Sequence, residues 1–579
     1  MFRIAARIAL AVAVTATLGG LATGPSLAAS GVGHVDASRA MPSSVAGQAQ
    51  SVIRDLEKQG YEVSVGYPLL YTQDLCDRYT YETFHNCFAN NPASPYVIPV
   101  VKSWPDEYVD PSTVNGFGKT RPGYSATYRL DEREAIVILG EMPPEGRYMG
   151  LQSWVFSQER LDAPPLWDTV WEDLINHQVP FLSQYLFGTV PRDSSRLLSF
   201  SSLSNNINDV VMTAQSDEAP FGQVRTFVIT PDQTMDGVVR AALENAGMPG
   251  DDIFTEPIPP DAVVEFPQPA TPPDDEAQPI GPQPIGPIGL DKSANDFLTA
   301  LRYAMPEDER AADTWRSSLP LTVLRVREAP SSDREPVPFD TFTADERGGV
   351  DEHAPDLGLT QALDDLVAAV CARADAHDLD LEGGGCDSAD DDAVTKSEMK
   401  DILTDLGQDG PYCRYVGMDC EADGQDASYF IAGPRPLDDG QVYAAVGTLA
   451  TETGNATYVG LGVNDASMLK GAANLSDDDL TGSAVPFEQE AGQDFSKLFV
   501  RFFARDCSAI EDLTSGACTA ITEDVIPLSA DPAAPGDRSL HGQFSTSLRS
   551  YVDPSNPHGR GPDPTLQLTP RILGFFPQE

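Results

Sequence analysis

Short segments from the first half of the chain return in the same order in the second half, and this internal repeat constrains the fold most. Residues 136–140, a turn and 147–151 resemble 443–447, a turn and 457–461. A shared Tyr-x-Gly-Leu element begins at Tyr148 and again at Tyr458, 310 residues later. Successive side chains in both stretches alternate between two faces, as they do in β-strands. The repeat therefore predicts two related β-rich units.

A second match indicates where the two copies differ. Residues 202–206 resemble 474–478, and these segments lie 272 residues apart rather than 310. The first copy would therefore hold 38 additional residues (310 less 272), and a Trp-bearing helix is predicted over 166–187, within them. Later matches pair 301–304 with 500–503 and 320–324 with 570–573. Chance similarity between short β-hairpin sequences is the alternative, and the retained order of the matches favours the repeat.

These patterns predict a β-rich α+β protein with two related β-sandwich or jelly-roll-like domains and helical insertions. Apolar residues spaced three or four apart predict helices over 232–246 and 359–376, and a further helix that stops at Gly60. The expected order along the chain is a signal peptide at 1–28, a mobile leader and helix at 29–60, a first β-rich domain at 61–255, a Pro-rich linker or loop at 256–290, closing elements of the first domain at 291–330, a helical, acidic, disulfide-bearing insert at 331–435 and a second β-rich domain at 436–579.

The N-terminus has the features of an export signal. Two arginines, at positions 3 and 7, precede an apolar stretch over 8–22, and residues 26–28 form a small-x-small cleavage pattern. A membrane-spanning helix needs about 20 apolar residues, and this stretch is shorter. No second apolar run of spanning length follows it. We therefore expect a secreted, extracellular protein without membrane insertion after signal cleavage.

Eight cysteines fall into four close pairs, as expected for an exported protein with local disulfide bonds. The pairs are Cys76 with Cys87, Cys371 with Cys386, Cys413 with Cys420, and Cys507 with Cys518. Eight cysteines allow 105 connectivities, and the local set is favoured because short loops cost the least entropy to close. Zinc ligation is the alternative, but the Cys-x-x-Cys spacing typical of such sites does not occur.

The charge balance limits the possible partners. The chain has 38 Lys and Arg against 88 Asp and Glu, which gives a formal net charge of −50. A field of this sign repels phosphate backbones, so the sequence predicts no nucleic-acid partner. A hydrophobic fraction of 41% is sufficient for buried cores and excludes a wholly disordered chain.

Three stretches, 91–97, 142–148 and 560–563, resemble uncharacterised secreted bacterial proteins of unknown function. A looser resemblance connects the chain to bacterial proteins with tandem jelly-roll-like domains, through the pattern Phe297-Leu298-x-x-Leu301-Arg302-Tyr303-x-x-Pro306. Neither resemblance implies an established activity, so no catalytic residue is carried over.

Two motifs suggest ligand sites, but each lacks a required residue. Residues 116–120, Gly-Phe-Gly-Lys-Thr, resemble the end of a phosphate-binding loop, yet position 113, where that motif needs Gly, is Thr. Residues 378–383 resemble the start of a calcium loop, but its twelfth position, normally a bidentate acid, is Ala389. We therefore expect an exposed glycine turn and a solvated acidic loop.

Histidine and tryptophan give no stronger site. His558 lies in a stretch rich in Gly and Pro, for which a packed, hydrogen-bonded loop is the preferred interpretation. The five tryptophans could stack on sugars, although such residues more often pack in cores. The sequence thus assigns no catalytic, cofactor-binding or metal-ligating residue and predicts no cofactor.

Non-catalytic extracellular binding of a glycan or a protein is the function that the sequence favours. The alternative is an extracellular, glycosidase-like hydrolase that uses paired carboxylates, because 88 acidic residues allow many such pairs. A cleft with two carboxyl groups about 5–10 Å apart, flanked by aromatic rings, would favour the hydrolase.

Overall fold

The computed structural model describes residues 43–160, 183–265, 281–381, 396–528 and 536–577. The signal segment at 1–28, most of the helix predicted over 166–187 and the calcium-like loop beyond 381 lie outside these ranges.

The helices predicted over 232–246, over 359–376 and up to Gly60 are present in the structure. Asp232 caps one helix, because its side chain accepts hydrogen bonds from the backbone N–H groups of Thr234 and Met235. The helices of seven residues or more among the described residues are α1 (Ser43–Gln59), α2 (Asp209–Ser216), α3 (Gln233–Asn245), α4 (Glu309–Ser318), α5 (Leu359–Asp375) and α6 (Gly410–Val416). Shorter helical segments include Gln73–Leu75, Cys76–Thr80, Tyr81–Phe84, Ser183–Leu186, Gly250–Asp252, Ala450–Thr453, Asp477–Leu480, Val485–Phe487, Glu488–Ala491, Ser508–Ile510, Glu511–Thr514, Arg538–Leu540 and Pro564–Leu566.

The first half, residues 43–327, contains two large sheets. Its strands are β1 (Glu62–Val65), β2 (Tyr67–Tyr71), β3 (Tyr96–Lys102), β4 (Tyr124–Ser125), β5 (Glu134–Glu141), β6 (Gly146–Glu159), β7 (Thr189–Val190), β8 (Asp193–Ser202), β9 (Ile207–Asn208), β10 (Val224–Thr230), β11 (Ile253–Pro257), β12 (Asp261–Val264), β13 (Gly281–Pro284), β14 (Asp296–Pro306) and β15 (Leu321–Arg327). We call the sheet with the order β1-β15-β5-β10-β11 the outer sheet, and the sheet with the order β2-β3-β14-β6-β8-β7 the inner sheet. Strands β12 and β13, within the Pro-rich segment 256–290, pair with each other.

The second half, residues 359–577, also contains an outer and an inner sheet. Its strands are β16 (Leu379–Leu381), β17 (Lys396–Glu398), β18 (Lys400–Asp401), β19 (Ala427–Pro436), β20 (Val442–Thr448), β21 (Tyr458–Asp465), β22 (Lys470–Ser476), β23 (Leu498–Ala504), β24 (Cys518–Ala520), β25 (Gln543–Tyr551) and β26 (Arg571–Pro577). The outer sheet has the order β16-β26-β20-β23-β24, and the inner sheet has the order β18-β19-β25-β21-β22. Strands from 379–436 thus belong to these sheets.

Strand order and strand direction match between the two halves. Both outer sheets are antiparallel along their order except for the last pair, β10–β11 in one and β23–β24 in the other, which is parallel. The inner path β2-β3-β14-β6-β8 corresponds to β18-β19-β25-β21-β22. Tyr148 on β6 and Tyr458 on β21 therefore lie on strands with matching neighbours.

One segment match drawn from the sequence is wrong. Residues 301–304 belong to β14 of an inner sheet, whereas 500–503 belong to β23 of an outer sheet. The counterpart of β14 is β25, and the register makes Arg302 the counterpart of Arg549. Arg302 lies opposite Gly150, and Arg549 lies opposite Gly460.

Each half has three layers. In the first half, α1 and α3 cover one face of the outer sheet, and the other face packs against the inner sheet. In the second half, α5 covers the outer sheet, which again packs against the inner sheet. The sheets are open, and the parallel edge pairs and helix layers depart from a jelly roll, whose strands are antiparallel. The structure thus shows a β-rich protein with helices, without establishing a jelly-roll arrangement.

Disulfide bonds join Cys76 to Cys87, Cys413 to Cys420 and Cys507 to Cys518. Cys371 is also disulfide-bonded, and its expected partner Cys386 lies outside the described residues. Across the described segments, none of the helices has the length and apolar character needed to cross a membrane.

Candidate ligand-binding site

Each half sends one loop across to the other half. The first crossing loop, residues 87–91, begins at Cys87, whose N–H donates to the carbonyl oxygen of Met468 at 2.9 Å. The second crossing loop, residues 420–424, begins at Cys420, whose N–H donates to the carbonyl oxygen of Ser199 at 2.9 Å. The two halves therefore exchange equivalent backbone contacts where their inner sheets meet.

Both crossing loops contain two consecutive residues in the left-handed region. The φ angles are 56° at Phe88 and 44° at Ala89, and 53° at Glu421 and 62° at Ala422. Such conformations cost about 1–3 kcal/mol per non-glycine residue and cluster at functional sites. The surrounding hydrogen bonds hold the same strained turn at both places.

A cavity of about 110 Å³ lies between the inner sheets and the crossing loops. A cavity of about 150 Å³ holds one benzene molecule in a known engineered case, and one water takes up about 30 Å³ of liquid. In proportion to the benzene case, the cavity is therefore large enough for a molecule of roughly four or five heavy atoms.

One wall of the cavity is aromatic. Phe88, Phe117, Trp154 and Phe200 line it. The rings meet edge to face, with centroids 4.9 Å apart for Phe88 and Phe200 and 5.5 Å apart for Trp154 and Phe200. These contacts fix the rings, so this wall presents a preformed apolar surface.

The two matching arginines line the cavity but have different surroundings. Arg302 Nη2 donates to both carboxylate oxygens of Asp426, at 3.0 and 3.2 Å. The hydroxyl of Tyr148 donates to the same carboxylate at 2.6 Å. The charge of Arg302 is therefore neutralised by Asp426, which lies two residues beyond the second crossing loop.

Arg549 has no such counterion. Its Nη2 donates to the carbonyl oxygen of Ala89 at 2.7 Å, and its Nη1 has no hydrogen-bond partner in the part of the chain that the structure describes. Within the described ranges, no carboxylate oxygen lies within 4.0 Å of this guanidinium. The loop that it faces supplies neutral amides, Asn90 and Asn91, and Asn91 donates to the hydroxyl of Tyr458 at 3.3 Å.

Four further polar atoms of cavity-lining residues have no hydrogen-bond partner among the described residues: Arg302 Nε, Asn90 Oδ1, Asn464 Nδ2 and Ser547 Oγ. The last three belong to neutral side chains. The exposed fractions of Asn90, Asn464 and Ser547 are 6%, 1% and 6%. Most buried polar groups in proteins have a partner, so five such atoms around one cavity, with Arg549 Nη1, require an explanation.

Two acidic residues also line the cavity, and their oxygens are already engaged. Asp423 accepts from the N–H and hydroxyl of Ser202 at 2.7 and 2.6 Å, and from the N–H of Gly410 at 3.0 Å. Burial raises the pKa of Asp423 to about 7. Both carboxylate oxygens of Glu421 accept from Asn86 Nδ2 at 2.8 Å, and burial raises the pKa of Glu421 well above its usual value.

The motifs considered in the sequence lie at different places. Gly116 and Phe117 are buried, so the glycine turn at 116–120 is only partly exposed, and Phe117 belongs to the aromatic wall. The side chain of His558 is 64% exposed, and its Nδ1 lies 3.5 Å from Oδ2 of Asp345. No group of three or more metal-ligating side chains is found in the part of the chain that the structure describes.

Sequence reasoning missed the crossing loops. Cys87 is followed by Ala89, Asn90 and, nine residues after the cysteine, Tyr96; Cys420 is followed by Ala422, Asp423 and, at the same spacing, Tyr429. Tyr96 and Tyr429 lie opposite the two matching arginines. This shared spacing is the signal that could have located the cavity.

Comparisons with known proteins give no function. No protein-family model and no curated protein matches the chain. The crystal structure of an uncharacterized protein from Burkholderia cenocepacia has 9% sequence identity and a TM-score of 0.31, and the match covers 92% of this chain and 86% of that one. A protein from Vibrio parahaemolyticus has 9% identity and a TM-score of 0.32, with 92% and 98% covered. Both are bacterial proteins, and these TM-scores support no fold or functional assignment.

Proposed function

We propose that this is a non-catalytic extracellular binding protein that holds a small molecule in the cavity between its inner sheets. The observation that carries the proposal is the cluster of unpartnered buried polar atoms around the cavity. Each such atom costs the protein about 1–3 kcal/mol. A ligand with matching polar groups would remove that penalty while its apolar part contacts the aromatic wall.

The size of the cavity favours a small molecule over the two ligand classes expected from the sequence. A glycan chain or a folded protein exceeds about 110 Å³ and would require an outer surface. The unpartnered polar atoms described above belong to residues that line the cavity. Binding of a glycan or a protein at an outer surface is the alternative that the experiment must distinguish.

Binding is favoured over the hydrolase because every oxygen of the cavity carboxyl groups already accepts a hydrogen bond from the protein. Asp423 accepts from Ser202 and Gly410, and Glu421 accepts from Asn86. A general acid or a nucleophile must reach the reacting atom, and these groups are committed to the protein. Hydrolytic activity that is lost in Glu421→Gln would contradict the proposal.

Secretion is part of the proposal. The signal-like N-terminus and the disulfide bonds support it, since disulfides persist mainly in oxidising compartments outside the cytosol. We also infer that the halves are two related β-sandwich domains, which the shared strand order supports. A cavity between related domains is a common place for a ligand.

The test uses the full mature chain and a variant that fills the cavity. Ala300 is 2% exposed and lines the cavity, so Ala300→Leu should reduce its volume. Ala241 lies exposed on α3, and Ala241→Leu is the matched control. Native mass spectrometry and thermal-shift screening against small molecules should detect binding that Ala300→Leu weakens at least tenfold and Ala241→Leu leaves unchanged.

Several outcomes would overturn the proposal. Circular dichroism first verifies that Ala300→Leu is folded, and Ser547→Val offers a second filling variant. Binding that both folded variants retain would place the ligand elsewhere. Glycan-array or pull-down binding that is indifferent to the filling variants, with no small molecule bound, would favour an outer surface.

A further inference from the structure

The difference between the two arginines indicates what the cavity binds. Arg302 and Arg549 occupy matching positions on β14 and β25, and both are 6% exposed. Arg302 is paired with Asp426, whereas the loop that faces Arg549 presents Asn90 and Asn91. The fold therefore neutralises one guanidinium internally and leaves the matching one open.

An unpaired buried guanidinium calls for an external anion. Arginine keeps its positive charge inside proteins, and buried charges are normally paired. The Nη1 group of Arg549 has no partner, while Nη2 is held by the carbonyl oxygen of Ala89. That arrangement fixes the direction of the side chain and leaves donors for a carboxylate, which arginine binds through paired hydrogen bonds.

The other lining atoms limit the rest of the ligand. Leu298, Phe88 and Phe200 present an apolar surface, so the part of the ligand away from the anion should be hydrocarbon. A volume of about 110 Å³ admits roughly four or five heavy atoms. The formal charge of −50 repels polyanions from the surface, which favours a monoanion.

We infer that the cavity binds a short-chain aliphatic monocarboxylate, with its carboxylate on Arg549 and its alkyl group against the aromatic wall. Propionate, with five heavy atoms, has the size that fits, and butyrate, with six, tests the upper limit of the cavity. This inference rests on the proposed function and specifies its ligand class. Asn464 Nδ2 and Ser547 Oγ, both unpartnered, offer further hydrogen bonds to the carboxylate end.

Titration calorimetry on the full mature chain tests the inference with propionate, butyrate, neutral propionamide, propylammonium, chloride and sulfate. Propionate should bind about 10- to 100-fold more tightly than propionamide, because a charge-assisted hydrogen bond replaces a neutral one. Arg549→Gln should weaken propionate binding by a similar factor and change propionamide binding less than about threefold.

A second variant protects the test against loss of folding. Asn91→Asp places a carboxylate beside the hydroxyl of Tyr458 on the loop that faces Arg549, just as Asp426 lies beside the hydroxyl of the matching Tyr148. It should raise the melting temperature of the free protein and weaken propionate binding about tenfold or more. Unchanged propionate affinity in folded Asn91→Asp and Arg549→Gln would overturn the inference.

The remaining outcomes separate this inference from the proposed function. If propionamide binds as tightly as propionate and Ala300→Leu weakens both, the cavity binds small molecules and the anion inference is wrong. Tighter binding of chloride or sulfate than of propionate would define an inorganic anion site and overturn the carboxylate class. If none of the probes binds and screening finds no other ligand, the proposed function fails as well.

Discussion

Tyr148 folds back over Gly150, two residues further along the same strand, and a Cβ atom on Gly150 would lie 2.6 Å from the tyrosine hydroxyl. Tyr458 and Gly460 repeat this arrangement in the second half, where the corresponding distance is 3.0 Å. Because the tyrosine ring occupies the space where a Cβ atom would lie, only glycine fits at the position two residues after the tyrosine. This packing unit explains why the Tyr-x-Gly pattern occurs in both halves.

We expect Gly150→Ala to destabilise the protein by about 1–3 kcal/mol, because the added methyl displaces a hydroxyl that donates to buried Asp426. Gly460→Ala should cost less, since its hydroxyl neighbour only accepts from two amide groups. Urea unfolding measures the change in the free energy of unfolding for both variants. Gly237→Ala is the control: nothing lies within 4 Å of that helical position, so the change should stabilise by up to about 1 kcal/mol. Equal effects at Gly150 and Gly237 would contradict the packing argument.

The sequence predicts the local features of this fold better than its sheets. Helices α1, α3 and α5 have strong periodic apolar faces and form as expected. The sequence pairs Arg302 with Arg501 because residues 301–304 resemble residues 500–503. Its counterpart is Arg549, since sheet membership depends on partners hundreds of residues away.

The candidate site was harder to predict for the same reason. Arg549 binds the carbonyl oxygen of Ala89, which lies 460 residues earlier in the chain. Neither residue has a local pattern typical of a binding site. Only the shared spacing from Cys87 to Tyr96 and from Cys420 to Tyr429 relates the two loops, and its meaning depends on the crossed arrangement of the halves.

Asp426→Ala should cost about 3–5 kcal/mol, because it leaves the buried guanidinium of Arg302 without its counterion. Asp478→Ala is a matched control, since Asp478 pairs with Arg147 at the surface and its side chain is 63% exposed. The control should change the free energy of unfolding by at most about 1 kcal/mol. Chemical denaturation at neutral pH compares them. A loss below about 1 kcal/mol for Asp426→Ala would show that water reaches Arg302.

Stability should fall between about pH 4 and pH 8, in part because of Glu256. This residue is fully buried, its Oε1 accepts from the N–H of Ser153 and the hydroxyl of Ser204, and burial raises its pKa to about 8. The folded state therefore binds a proton that the unfolded state releases near pH 4.5. The stabilisation is fully present below that pH and is lost as the pH rises through about 8.

Glu256→Gln tests this assignment, because glutamine resembles the protonated acid and does not titrate. The wild type should lose about 2–4 kcal/mol more than Glu256→Gln between pH 4.5 and pH 8, measured by chemical denaturation at each pH. Parallel pH profiles for the two proteins would show that Glu256 is ionised in the folded state.

The last prediction concerns the disulfide that precedes the first crossing loop. Cys76–Cys87 and Cys507–Cys518 both join residues 11 positions apart, so removing either by double Cys→Ala substitution should cost about 3 kcal/mol. Only the first bond anchors the loop whose N–H groups bind the carbonyl oxygens of Met468 and Leu469. Hydrogen exchange should therefore become faster at 87–91 in the Cys76→Ala/Cys87→Ala protein and remain unchanged there in the Cys507→Ala/Cys518→Ala protein. Equal exchange at 87–91 in both variants would mean that the backbone contacts with the second half hold the crossing loop without help from its disulfide.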